Sequence, residues 1–194
     1  MTGGLPRLIV VTDRTQAAAP LPEVVAAAVG AGARAVLLRD KDLPLSERAA
    51  LAEALEALLA PVGGLLLWGG AAGSIGRTAV HLSATDRVPA ARPGLLGRSC
   101  HTGAEVAAAR AEGCAYVFVS PLNPTPSKPG YGPALGPAGL ARLVVGAPPV
   151  YALGGVRPDD VAACRAAGAY GVAVMGPVMR DPAVAGAYLA ALRP

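Results

Sequence analysis

The sequence predicts an α/β fold in which eight parallel strands and their connecting helices close into a small (β/α)8 barrel, or TIM barrel. Eight short apolar segments recur along the chain, and Ala-rich segments with helical spacing separate most of them. Most of the apolar segments are continuous rather than alternating, which indicates strands that are covered on both faces. The 194 residues are assigned to one domain, 1–194. Because barrels of this type usually exceed about 200 residues, an open doubly wound sheet with fewer strands is the alternative.

The eight predicted strands cover residues 8–12, 35–39, 64–68, 79–83, 95–100, 116–121, 149–153 and 171–175. The predicted helices cover residues 21–31, 45–60, 103–112, 137–145, 158–167 and 182–192. A proline lies at or just before most of these helix starts, where its missing N–H costs little: Pro22, Pro44, Pro137, Pro158 and Pro182. The connections after strands three and four are short and have room for a turn or two of helix.

The charge, the lengths of the apolar runs and the cysteines exclude several classes of protein. The net charge is +4, but the basic residues are scattered, which favours a small anionic ligand over nucleic acid. No apolar run approaches the roughly 20 residues that a bilayer span needs, so no membrane association is expected. The cysteines Cys100, Cys114 and Cys164 are isolated from one another, which argues against a disulfide framework or a zinc site and predicts a cytoplasmic protein.

In a barrel of this kind, the functional groups lie just past the carboxyl ends of the strands. Arg39 and Lys41 lie on one side of the extended end of the second strand, so they present two cations suited to a phosphate or pyrophosphate. The alternative is a pair of surface salt bridges with Asp40 and Asp42.

Glycines end the seventh and eighth strands. Gly154 and Gly155 precede a predicted helix, and backbone N–H groups at such a turn can approach a phosphate closely. Gly176 would complete this phosphate site, since the loops after strands seven and eight often form one. A plain tight turn is the alternative.

The segment after strand six offers further groups for an anion. Thr125, Ser127 and Lys128 provide two hydroxyls and an ammonium group among closely spaced prolines and glycines. This composition predicts a shaped loop that covers a ligand.

Two further strand ends carry polar groups. Ser99 and His101 lie at the end of strand five, and His101 is the candidate acid/base group, whereas His81 is interpreted as an interior or capping residue. Asp86 is a weak candidate Mg²⁺ ligand, because the segment after strand three reads Trp68-Gly-Gly70 and supplies no second carboxylate. A helix-capping or solvated loop role for Asp86 is equally compatible with the sequence.

Taken together, these motifs resemble the thiamine phosphate synthase family and its sister group, the TenI-like thiazole tautomerases, over nearly the whole chain. The segment 37–41 is similar to the family's Gln-x-Arg-x-Lys motif, which binds pyrophosphate, and Asp86 matches one of its metal-binding carboxylates. Residues 99–101 resemble its Ser-x-His segment, and residues 124–130 resemble its Thr-x-Thr-Lys loop. Segments 152–156 and 171–175 resemble the phosphate-binding strand ends. The resemblance implies a small barrel that binds a phosphorylated thiazole and forms a homo-oligomer, at least a dimer.

Three departures from the family pattern bear on the subfamily. Leu37 stands where the synthase has the Gln that recognises the pyrimidine, Trp68-Gly-Gly70 replaces an Asn-Asp segment, and Gly176 replaces a Ser. The thiazole-phosphate half of the site is therefore retained and the pyrimidine half altered, and we expect Trp68 to fill the vacated pyrimidine pocket.

The sequence thus favours a TenI-like tautomerase that aromatises thiazole carboxylate phosphate by proton transfer, with His101 and Lys128 as catalytic residues and no cofactor. The alternative is a thiamine phosphate synthase, which joins hydroxymethylpyrimidine pyrophosphate to thiazole phosphate with Mg²⁺ at Asp86. A third possibility is a binding paralogue without catalytic activity.

Overall fold

The computed structural model describes residues 4–124 and 133–193, and it forms a closed barrel of eight parallel strands in sequence order. The strands are β1 (Leu8–Val11), β2 (Ala35–Leu38), β3 (Leu65–Gly69), β4 (Ala79–Leu82), β5 (Leu95–Cys100), β6 (Tyr116–Val119), β7 (Val150–Leu153) and β8 (Gly171–Val174). Strand β1 pairs with β8 in the register Leu8↔Val172 and Val10↔Val174, which closes the ring. The predicted TIM barrel is confirmed, and the open sheet is excluded.

The α-helices that surround the barrel are α1 (Leu21–Gly30), α2 (Leu45–Leu59), α3 (Gly103–Ala111), α4 (Gly136–Val144), α5 (Val161–Ala166), α6 (Gly176–Arg180) and α7 (Ala185–Ala191). The segments Pro158–Asp160 and Pro182–Val184, which were predicted as the first turns of α-helices, are 3₁₀ turns. Helix α6 was not predicted, because five residues are too few to show a helical repeat of apolar positions. None of the described helices is long and apolar enough to cross a membrane.

Side chains from alternate positions of the strands fill two separate cores. One set faces the barrel axis and includes Tyr116, Phe118 and Tyr151, while the other set packs against the helices. At Gly97 of β5 an added Cβ would lie 2.1 Å from Cζ of Tyr116, so this strand position leaves room for the tyrosine ring. A few large aromatic rings thereby fill much of the barrel interior, together with smaller aliphatic side chains.

Several strands end one or two residues earlier than predicted. Thr12, Arg39 and Ser83 belong to the loops that follow β1, β2 and β4. All three residues consequently lie at the carboxyl end of the barrel, which we call the mouth.

Candidate functional site

The loop after β2 brings Arg39 and Lys41 to the mouth. Arg39 Nη1 lies 4.0 Å from Asp13 Oδ2, and Lys41 Nζ lies 3.6 Å from Asp86 Oδ2. The two side chains are 47% and 44% exposed, so both cations are accessible from the mouth. The neighbouring aspartates, Asp40 and Asp42, form their ion pairs with Arg14.

A glycine after β3 makes room for Lys41. Gly70 has φ +89°, and an added Cβ would lie 3.0 Å from Lys41 Cε and 3.1 Å from Nζ. The lysine therefore crosses the backbone at the place where the sequence lacks the expected carboxylate.

Asp86 lies in the loop after β4. Its Oδ2 accepts a hydrogen bond of 2.7 Å from the Ser83 N–H. Partial burial opposes ionisation, but the hydrogen bonds from Ser83 and the charge of Lys41 outweigh it and lower the pKa of Asp86 below its ordinary value. Asp86 is thus held as a carboxylate. Within residues 4–124 and 133–193, no group of three or more His, Cys, Asp or Glu side chains is placed to hold a metal ion.

Arg98 of β5 fixes the loop that carries Asp86, and sequence reasoning missed it. Arg98 Nη1 donates to three carbonyl oxygens, those of Ser83 at 2.9 Å, Ala84 at 3.2 Å and Asp86 at 2.9 Å. The guanidinium is buried, and its Nε lies 2.8 Å from Glu112 Oε2. No local pattern marks this role, because the loop and strand residues involved meet only in the folded barrel.

Ser99 and His81 meet inside the mouth. His81 Nε2 lies 2.9 Å from Ser99 Oγ, and Nδ1 lies 3.1 Å from the Tyr116 hydroxyl oxygen. The structure places His81 in the barrel interior, as expected from the sequence. Burial, and then the charges of Lys41 and Arg98, lower the pKa of His81 to about 3, so the imidazole is neutral at physiological pH.

His101 follows β5 and precedes helix α3. Thr102 caps this helix, and its side chain and that of Glu105 form a capping box. His101 Nδ1 lies 2.8 Å from the carbonyl oxygen of Ser120. Because a carbonyl can only accept, Nδ1 carries the hydrogen, and the ring is tied to the end of β6.

Gly154 and Gly155 follow β7 with φ of +90° and +65°. A Cβ at Gly155 would lie 2.6 Å from the Pro124 carbonyl oxygen and 2.9 Å from that of Asn123. Asn123 also donates from Nδ2 to the Gly155 carbonyl at 3.2 Å. The glycine is therefore required by the close approach of the loop after β6, whatever ligand the site binds.

Gly176 begins helix α6 and is buried. An added Cβ would lie 2.8 Å from Arg180 Nη1 and 2.9 Å from Gln16 Oε1. The structure therefore brings the glycines after β7 and β8 to the mouth at adjacent strands. The predicted residues Thr125, Ser127 and Lys128 lie outside the described residues.

The expectation that Trp68 fills a pyrimidine pocket is wrong. Trp68 faces the helix layer, where its ring lies 3.9 Å from the Arg48 guanidinium and 4.6 Å from that of Arg77. Its Nε1 donates to the Ala72 carbonyl at 2.8 Å. The alternation of a strand explains the outward direction, because the preceding Leu67 belongs to the barrel interior. Leu37, also buried, occupies the interior on β2.

Comparisons with known proteins show the family to which the chain belongs. A family model described as thiamine monophosphate synthase matches residues 8–178. A putative thiamine-phosphate synthase of Geobacter sulfurreducens is 38% identical over 190 residues, which cover 90% of this chain and 87% of that protein. The thiamine-phosphate synthase of Roseiflexus castenholzii is 36% identical over 187 residues, covering 89% of this chain and 81% of that protein.

Among solved structures, the thiamine phosphate pyrophosphorylase of Pyrococcus furiosus superposes with a TM-score of 0.83. It shares 24% identity, and the match covers 96% of this chain and 95% of that one, which supports the fold alone. The names of the relatives fit the synthase, which the sequence left as the alternative, and they do not support the favoured tautomerase. The chain belongs to the thiamine monophosphate synthase family of thiamine-biosynthesis enzymes.

Proposed function

We propose that this protein is a thiamine-phosphate synthase, which joins hydroxymethylpyrimidine pyrophosphate to thiazole phosphate. The observation that carries the proposal is a pair of cations and a carboxylate, Arg39, Lys41 and Asp86, gathered after β2 and β4. The glycine turns of the predicted phosphate anchor follow β7 and β8, on the other side of the closed ring. A mouth with two separate anion sites suits two phosphorylated substrates, whereas a tautomerase needs only one anchor.

Arg39 and Lys41 would bind the pyrophosphate of the pyrimidine substrate. In the proposed reaction, the bond between the pyrimidine methylene carbon and the pyrophosphate oxygen breaks, and that oxygen keeps the electron pair. The thiazole nitrogen forms the new bond to the methylene carbon. The two cations stabilise the negative charge that develops on the leaving pyrophosphate, and Ser99 adds a hydroxyl at the same side of the mouth.

Asp86 would hold the Mg²⁺ ion. One carboxylate, completed by water and substrate phosphate oxygens, is a common environment for Mg²⁺, so the residues present fit the ion. When bound, the ion would supply further neutralisation of the pyrophosphate. The low pKa of Asp86 and its backbone tether through Ser83 keep the ligand ionised and fixed.

The ester phosphate of the thiazole would lie at Gly154, Gly155 and Gly176. The turns after β7 and β8 expose backbone at a place where barrels commonly bind phosphate. Thr125, Ser127 and Lys128 remain candidates to cover this end of the site.

The tautomerase remains a second candidate because of His101. The hydrogen bond from His101 Nδ1 to the Ser120 carbonyl orients the imidazole, so Nε2 is the nitrogen that would act as the general base. The apolar Leu37 on the pyrimidine side also favours this function. The tautomerase reaction would need no cofactor.

The test is the formation of thiamine phosphate from both synthase substrates with Mg²⁺, with an authentic synthase as control. Turnover that depends on both substrates would support the proposal. A folded protein that binds thiazole phosphate but forms no product would overturn it. Tautomer conversion that is lost in His101→Ala would then identify the tautomerase, and binding without either activity would identify a binding paralogue.

A further inference from the structure

Three polar side chains form a continuous hydrogen-bond chain from the barrel interior to the mouth. The Tyr116 hydroxyl lies 3.1 Å from His81 Nδ1, and His81 Nε2 lies 2.9 Å from Ser99 Oγ. Tyr116 is completely buried and His81 is 4% exposed, whereas Ser99 is half-buried at the mouth. The hydrogen-bond chain therefore has a buried end at Tyr116 and a partly exposed end at Ser99.

The positions of the hydrogens follow from the available partners. Within the described part of the chain, His81 Nδ1 is the hydrogen-bond partner that the structure gives to the Tyr116 hydroxyl. Burial raises the pKa of Tyr116 well above its ordinary value, so the hydroxyl keeps its hydrogen. A buried O–H that lacks an acceptor is costly, and Tyr116 therefore donates to Nδ1.

The neutral His81 ring then carries its single hydrogen on Nε2 and donates it to Ser99 Oγ. Neutrality is itself enforced, because burial and the charge of Lys41 oppose protonation. With its oxygen already accepting from the histidine, the Ser99 hydroxyl directs its own hydrogen elsewhere. Ser99 is partly exposed at the mouth, so a bound ligand there can accept this hydrogen.

Aromatic packing holds the histidine ring in place. The Phe118 ring centroid lies 4.0 Å from that of His81, and the Tyr116 centroid lies 5.5 Å away on a nearly parallel plane. These rings pack against the imidazole and restrict its rotation. Each donated hydrogen bond also polarises the next one, which makes the Ser99 hydroxyl a stronger donor than an isolated serine.

We propose that Tyr116 and His81 are positioning residues that point the Ser99 hydroxyl hydrogen at an anionic substrate oxygen. Such a relay gives the mouth an uncharged donor that is oriented before the ligand arrives. The identity of the anion as a pyrophosphate rests on the proposed function, whereas the orientation of the relay rests on the hydrogen bonds alone.

The orientation can be read by nuclear magnetic resonance of the histidine ring nitrogens. The chain has only two histidines, so a His101→Gln variant leaves His81 as the single source of signals. We expect the pattern of a neutral ring with the hydrogen on Nε2 for His81 at pH 7. A hydrogen on Nδ1, or a protonated ring, would overturn the relay.

The consequence for binding can be measured by calorimetric titration with inorganic pyrophosphate. We expect Tyr116→Phe to weaken binding by about 2- to 10-fold, as the loss of one hydrogen bond allows. In a Ser99→Ala background the same substitution should have no further effect, since it acts through the serine. Equal weakening in both backgrounds would indicate a general structural effect and would overturn the proposal.

Tyr151→Phe is the matched control. This tyrosine belongs to the same aromatic cluster, but its hydroxyl donates to the Pro6 carbonyl at 2.7 Å, at the opposite end of the barrel. It should change pyrophosphate binding by less than about 2-fold, although it also removes a buried hydrogen bond. A wild-type protein that binds no pyrophosphate would overturn both the anion assigned to Ser99 and the proposed function, whereas the wrong tautomer would overturn the relay alone.

Discussion

The ammonium nitrogen of Lys41 lies 3.6 Å from Oδ2 of Asp86, which joins the loop after β2 to the loop after β4. Both side chains are partly exposed at the mouth. A contact of this kind between exposed groups contributes little stability. The contact matters for the geometry of the site, because it holds a cation and a carboxylate together where a pyrophosphate and a divalent ion would bind.

Asp86→Asn should lower the rate of thiamine phosphate formation by about 100-fold or more, because it removes the carboxylate that would hold Mg²⁺ near the leaving pyrophosphate. The rate should also lose its saturation at low millimolar Mg²⁺. Initial rates measured against Mg²⁺ concentration test this. Glu53→Gln on the exposed face of α2 is the control and should leave the profile unchanged. A variant with the wild-type Mg²⁺ dependence would rule out Asp86 as the ligand.

Arg98→Met should lower the free energy of unfolding by about 3 kcal/mol, because it leaves the carbonyls of the 83–86 loop without their donor and the Glu112 carboxylate without its ion-pair partner. Chemical denaturation measures the loss. Glu112→Gln is the comparison, and it should cost less, since Arg98 would keep its three carbonyl partners. If the two variants were equally destabilised, the loop contacts would contribute nothing.

Gly155→Ala should be more harmful than Gly63→Ala. The two glycines have similar positive φ values, +65° and +61°, but an added Cβ meets backbone oxygen only at Gly155. Both variants should lose about 1–2 kcal/mol from left-handed backbone strain. Gly155→Ala should lose more stability and should raise the KM for thiazole phosphate, as the loop after β6 is displaced. Equal unfolding free energies and unchanged KM values would contradict the required close approach.

The sequence was sufficient to predict the barrel because most strands are compact apolar runs and most helices follow with their own start signals. It also placed Arg39, Lys41, Asp86 and Ser99 at strand ends, where the fold brings them to one mouth. It could not predict the buried contacts of Arg98, because an arginine on a strand is locally indistinguishable from a surface residue. Partners far apart in the sequence decide its role.

The direction in which the Trp68 side chain points also could not be predicted from the sequence. A large aromatic residue at a strand end suggested a filled pocket, but a shift of one residue along a strand reverses the face on which a side chain lies. The indole consequently packs between two arginines in the helix layer.

Trp68→Phe should therefore reduce stability and leave substrate affinity intact. It removes the hydrogen bond to the Ala72 carbonyl and weakens the contact with Arg48, for a loss of about 1–2 kcal/mol. The KM for the pyrimidine substrate should change by less than about 2-fold, since the ring packs in the helix layer and not in the barrel interior. Thermal unfolding and steady-state kinetics on one preparation test both parts. A large KM change with normal stability would place the indole in the substrate pocket after all.

His81 should make the protein less stable as the pH falls. In the folded state burial lowers the pKa of His81 to about 3, whereas in the unfolded chain it returns to about 6.5. Between these values the unfolded state binds a proton that the folded state does not, so the free energy of unfolding falls by up to about 1.4 kcal/mol for each pH unit below 6.5. Lys41 and Arg98 oppose the imidazolium, and Asp86 favours it.

Urea unfolding of the wild type and of His81→Gln between pH 7 and pH 4 isolates this contribution. The carboxylates titrate equally in both proteins, so the difference between the two slopes belongs to His81. We expect the wild type to lose about 1 kcal/mol more per pH unit than the variant below pH 6. Parallel curves would mean that His81 takes up its proton in the folded barrel, which the hydrogen bonds to Tyr116 and Ser99 do not permit without rearrangement.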